Sequence, residues 1–126
     1  MPHIAFAQEN IPVKIYEQNG KGVAYEKMLN SIKNYDACFF GEIHNNPISH
    51  WYEYELTNSL FQNYGSDLVL GAEMLERDQQ LILNEYLNGL IPVKKFEDGT
   101  NLWPNYETDY KPLVDFAAEN EIDFIA

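Results

Sequence analysis

The chain reads as an α/β domain with a mostly parallel sheet and helices on both faces. Three observations predict this class. Strand-like and helix-like segments alternate from Ile11 onward. Two of the strand candidates, Asp36 to Phe40 and Asp67 to Leu70, are short, apolar and unalternating, the pattern of strands covered on both sides. Each is followed by a helical segment with its own start or stop signal, as crossover helices require.

In order, Val13 to Glu17 alternates weakly as a strand and Asn19-Gly20-Lys21-Gly22 is a turn. Ala24 to Lys33 carries apolar residues at helical spacing, Tyr25, Met28, Leu29 and Ile32. Asp36 to Phe40 is the first buried-type strand, with Cys38 an inert core thiol inside it. Asn46-Pro47 opens a helix that runs to about Asn63, since Asn caps the free N–H groups and Pro at the first position has none to lose. That helix places Tyr52, Leu56, Leu60 and Tyr64 on one face, with Phe61 at its edge. Asp67 to Leu70 is the second buried-type strand, and a helix from about Asp78 to Asn88 stops at Gly89. Lys94 to Tyr106 is a polar loop carrying Trp103; Thr108 to Glu119 is helical with Pro112 in its early turns; Glu121 to Ala126 begins another strand.

The chain has 126 residues with 8 Lys+Arg against 20 Asp+Glu, a formal charge of −12. Binding to a phosphate backbone depends on clustered Lys and Arg, so nucleic acid is excluded as a partner class. No apolar run approaches the roughly 18–20 residues that cross a bilayer, so no transmembrane segment is expected. Cys38 is the single cysteine, which excludes an intrachain disulfide and a Cys-based zinc site. Residues 1–10 read in two ways. Ala5-Phe6-Ala7 has the small-x-small form of a signal-peptidase site and makes them the remnant of an export signal; alternatively they are an ordinary terminus. His3 falls in that segment and is assigned no role.

Ligand sites of parallel sheets lie beyond the carboxyl ends of the strands. Gly41-Glu42-Ile43-His44 occupies that position after the first buried-type strand, and alternation points Glu42 and His44 the same way. Such a pair can hold a metal or work as an acid and a base, or it can simply cap the next helix. His50, in the first turn of that helix, can lean over the same crevice. The second strand ends in Glu73, Glu76 and Arg77. If the two strands are neighbours, Glu42 and Glu73 share one edge, and the crowded carboxylates need a cation, a shared proton or a positive side chain. Arg77, the sole arginine, suits a bidentate hold on a carboxylate of the protein or of a ligand, or a salt bridge to Glu76 or Asp78. Trp103, Tyr106 and Tyr110 either stack on a planar ligand or close the core. Glu42, His44 and Glu73 are therefore the candidate catalytic and metal-binding residues.

Taken together, the GEIH motif at 41–44 with His50 downstream, the tract GAEMLERDQQ at 71–80 and the tract LWPNYETDYKPLVDFAAEN at 102–120 resemble the ChaN family. These are bacterial haem-binding, iron-regulated proteins, often lipoproteins, of the erythromycin-esterase/ChaN-like and Tiki group. The resemblance spans about Val13 to Ala126 and implies haem binding in haem or iron uptake at the cell envelope or periplasm. It implies a homodimer with haem held through a tyrosine and a nearby histidine, making His44, His50, Arg77 and Tyr110 the cofactor-binding candidates. The ligating tyrosine is not assignable from the sequence. Relatives that hydrolyse esters or peptides with an equivalent Glu/His site, some with a divalent metal, imply a hydrolase as the alternative. No lipobox cysteine is present, and family members continue past this point, usually with an Asn-x-Pro-Arg segment. The expectation is thus that 11–126 is the amino-terminal part of a larger domain, with a sheet edge left uncovered.

Overall fold

The computed structural model describes residues 13–126. The signal-like segment and His3 lie outside the described residues. The chain divides into two compact units, Met1–Cys38 and Phe39–Ala126.

The described part of the first unit is an antiparallel hairpin and a helix. Strands β1 (Ile15–Tyr16) and β2 (Gly22–Val23) pair Ile15 with Val23 and Tyr16 with Gly22. Gly20 takes a positive φ of 83°, and the Asn19 side chain accepts from the Lys21 N–H at 2.8 Å, which closes the turn. Helix α1 (Tyr25–Ile32) follows, with Tyr25, Met28, Leu29 and Ile32 half-buried as the spacing predicts.

The second unit is mixed helix and strand, dominated by helices. Helix α2 (Pro47–Tyr64) starts where the sequence places it, with the Asn46 side chain accepting from the Ile48 N–H at 3.0 Å and Pro47 in the first turn. Strand β3 (Val69–Gly71) leads to a 3₁₀ turn, Arg77–Gln79, and helix α3 (Gln80–Leu87). Gly89, at φ 68°, ends it. Helix α4 (Val93–Asp98) interrupts the expected polar loop because Phe96 reaches the core and is fully buried, which anchors a turn that composition alone reads as irregular. A π-wound turn, Tyr106–Tyr110, precedes helix α5 (Lys111–Asn120), and strand β4 (Asp123–Ile125) runs parallel to β3 with Leu70 opposite Phe124. The Gln80 amide clamps the end of β4, donating to the Phe124 carbonyl at 2.9 Å and accepting from the Ala126 N–H at 2.7 Å.

The core lies between the β3/β4 pair and helices α3, α4 and α5, around Leu83, Phe96, Val114, Ala117 and Ile122. Tyr86 stacks on Phe96 at 5.0 Å and 14°, while Tyr54 and Phe61 of α2 meet Phe116 edge-on. Of the expected apolar face of α2, Tyr52 and Leu56 are buried, and His50 and Thr57 join them.

One expected element is absent. Asp36 to Phe40 forms no strand, and Phe39 is 96% exposed. A strand exists through hydrogen bonds to a neighbour, and among the described residues this segment has no backbone ladder; β-propensity does not replace one. Cys38 is accordingly exposed rather than a core thiol. In place of one mostly parallel sheet, the described residues form two separate two-stranded sheets, β1–β2 antiparallel in the first unit and β3–β4 parallel in the second.

Candidate functional site

The site is built where the extended segment at Gly41 turns into α2. The Asn46 N–H donates to the Ile43 carbonyl at 2.8 Å, folding residues 43–46 tightly and setting His44 at the mouth of the turn. His50 follows on the first turn of α2 and leans back, so Glu42, His44 and His50 come together. Glu53, three residues beyond His50 on the same helix face, joins them. The π-wound turn brings Tyr110 and Asp109 from the other end of the unit.

Glu42 is the hub. Its Oε1 accepts from the Tyr110 hydroxyl at 2.6 Å and lies 3.0 Å from His44 Nδ1. A carboxylate only accepts, so His44 carries its proton on Nδ1 in this contact, leaving Nε2 as a free lone pair. The His44 side chain is 53% exposed, and its ring meets the half-buried Trp103 edge-on at 5.0 Å. Trp103 in turn meets Tyr110 edge-on at 5.6 Å.

His50 is 4% exposed and its ring is oriented by acceptors. Nε2 lies 3.0 Å from the His44 carbonyl and 3.5 Å from Asp109 Oδ2, both of which require a donor, so Nε2 carries a proton. The same carbonyl and the same Oδ2 each accept from the Asn105 amide at 2.8 Å. The opposite ring nitrogen, Nδ1, faces Glu42 Oε2 at 2.8 Å and Glu53 Oε2 at 3.8 Å. Despite these short approaches, none of the three atoms has a hydrogen bond of acceptable geometry, and all three are buried. Burial, followed by the Glu42 charge, pushes the Glu53 carboxyl up to about 7, with His50 pulling the other way. Burial and the bond to Glu42 likewise raise the Tyr110 hydroxyl far above its ordinary range, so it stays a neutral donor.

The structure thus gathers Glu42, His44, His50 and Tyr110 from the sequence-derived candidates. Glu73 sits exposed in the turn after β3 and takes no part in the cluster's contacts. Glu76 instead caps the 3₁₀ turn: its N–H donates to Gln79 Oε1 at 3.1 Å and its carboxylate accepts from the Gln79 N–H. Arg77 is exposed and forms no ion pair with any described residue, Glu76 and Asp78 included. Tyr106 is buried beneath Phe96 rather than offered to a ligand.

Sequence reasoning missed Glu53, Asn105 and Asp109. For Glu53 the signal was available, since a residue three beyond His50 shares its helix face. Asn105 and Asp109 carried no such signal.

The family model described as haem-binding uptake, Tiki superfamily, ChaN, matches residues 28–126. No curated protein and no solved structure matches the chain. With GEIH, His50 and Tyr110 joined in one cluster and that model spanning both the cluster and the core beneath it, the chain belongs to the ChaN haem-binding uptake family of the Tiki superfamily.

Proposed function

We propose that this protein binds haem through His44 and serves haem or iron uptake at the bacterial cell envelope. The observation that carries the reading is the state of His44: Nδ1 is held by Glu42 at 3.0 Å while the ring is exposed, so Nε2 offers a lone pair to an incoming iron. A carboxylate behind the ring fixes the tautomer and raises the basicity of the free nitrogen, which is what an axial haem ligand needs. Trp103 supplies an apolar wall beside it. Tyr110 stands behind Glu42 and holds the carboxylate in place.

Family membership supports haem as the ligand. A second copy of the chain supplies the opposite side of the haem, and Arg77 meets a propionate.

Titration with ferric haem tests the reading. The wild type is expected to give a saturable Soret shift, His44→Ala to lose it, and Glu42→Gln to weaken it by about 10–100-fold, the range typical of groups that orient a ligand. A wild type without saturation, or a His44→Ala variant that titrates identically, sinks it. Light scattering with and without haem tests the dimer, and cell fractionation tests the location.

A further inference from the structure

We propose that Glu42 Oε2, His50 Nδ1 and Glu53 Oε2 form a site for a divalent first-row transition-metal ion, on the inner side of the residues that present His44. The three ligand atoms lie within 4.8 Å of one another. Around an ion bound at about 2.0–2.2 Å, ligand atoms in a tetrahedral arrangement sit about 3.3–3.6 Å apart. The two approaches to His50 Nδ1, 2.8 and 3.8 Å, bracket that spacing.

The second observation is His50 itself. It is 4% exposed, and its Nδ1 points at two carboxylate oxygens without a hydrogen bond to either. Its Nε2 proton is already committed to the His44 carbonyl, so whenever the ring is neutral Nδ1 presents a lone pair to two carboxylate oxygens. Three such buried atoms facing one another call for a proton shared among them or a cation between them, and a bound metal ion satisfies all three at once. No Lys or Arg among the described residues pairs with any of them, so the fold supplies no cation of its own beyond the imidazoles. Two carboxylate oxygens and one imidazole nitrogen are the donors favoured by Mn(II), Fe(II) or Zn(II), and not by soft ions that prefer sulfur. Tyr110 and Asn105 fit the outer shell: one donates to the far oxygen of Glu42, the other to the carbonyl that orients His50.

The site stands independently of the haem reading, because His44 is not one of its ligands. The test uses Mn(II) as probe, with the free ion followed by its EPR signal, and Zn(II) as competitor. Chelator-treated wild type is expected to take up one equivalent saturably. Glu53→Gln is expected to weaken uptake by at least about 10–100-fold, while Glu73→Gln, exposed and outside the cluster, binds as the wild type does. The proposal is overturned by a wild type that shows no saturable uptake, a readout independent of any variant's folding. It is also overturned by Glu53→Gln binding normally, or by Glu73→Gln losing as much as Glu53→Gln.

Discussion

Replacing Glu53 with Gln removes an ionisable group while keeping nearly the same volume, and the structure dictates how stability should then depend on pH. In metal-free protein the Glu53 carboxyl is raised from 4.5 to about 7, first by burial and then by the Glu42 charge. Its side chain is 20% exposed, and it faces Glu42, His50 and the Tyr110 hydroxyl. A carboxyl with a raised folded-state pKa binds a proton more tightly when folded than when unfolded. Between pH 4.5 and about 7 the folded state therefore holds the extra proton, and stability falls as pH rises through that window. Raising that carboxyl from 4.5 to about 7, at about 1.4 kcal/mol per pH unit, sets a ceiling of about 3–4 kcal/mol. In the presence of a chelator, wild type and Glu53→Gln should melt alike near pH 4.5, and the variant should gain about 1–3 kcal/mol by pH 8. For a chain of this size that is on the order of 5–10 °C in Tm. Calorimetric melts at half-unit pH steps measure the difference, from which the other carboxylates and histidines largely cancel. Parallel profiles across that range, or a variant less stable at pH 8, would refute the reasoning. Mn(II) should stabilise the wild type more than the variant and so narrow or reverse that difference.

Three further outcomes follow from single contacts. Tyr110→Phe strips the partly buried Glu42 carboxylate of its 2.6 Å donor and should cost about 1–3 kcal/mol in urea unfolding; a neutral result would mean that the bond is made up elsewhere. Gln80→Ala removes both bonds that clamp β4, at 2.7 and 2.9 Å, and should cost about 1–3 kcal/mol while accelerating amide exchange at Phe124 and Ala126; unchanged exchange would contradict the clamp. Glu121 closes α5 in the left-handed conformation at φ 55°, so Glu121→Gly should stabilise by about 0.5–1 kcal/mol in the same assay, and a loss of stability would show that its side chain contributes a contact.

Much of the site was legible because its first three residues are local. Glu42, His44 and His50 lie within nine positions, bracketed by a turn and by the Asn46-Pro47 start of α2, so short-range geometry alone brings them together. The pairing of Glu42 with Glu73 was a different kind of inference. It assumed that Asp36 to Phe40 forms a strand beside β3, and that segment has no ladder among the described residues. Glu76 shows how a functional-looking charge in a motif can be helix punctuation, read correctly only once its bond with Gln79 is seen. Phe96 hid α4 in the opposite way, since one buried ring in a polar stretch outweighs the composition around it.

From the sequence alone came the acidic balance, the positions of α1, α2 and α3 with the capping and stop residues of α2 and α3, and a Glu/His cluster matching one family. These depend on neighbours a few residues apart, where backbone sterics and capping bonds act regardless of the rest of the fold. The tertiary structure alone decided that Tyr110 reaches Glu42 across 68 positions, that Asn105 reaches the His44 carbonyl across 61, and that Glu53 rather than Glu73 completes the buried group. Contacts at that separation form only when the packing of the whole core offsets the entropy of closing so long a loop, and no local pattern encodes which residues then meet.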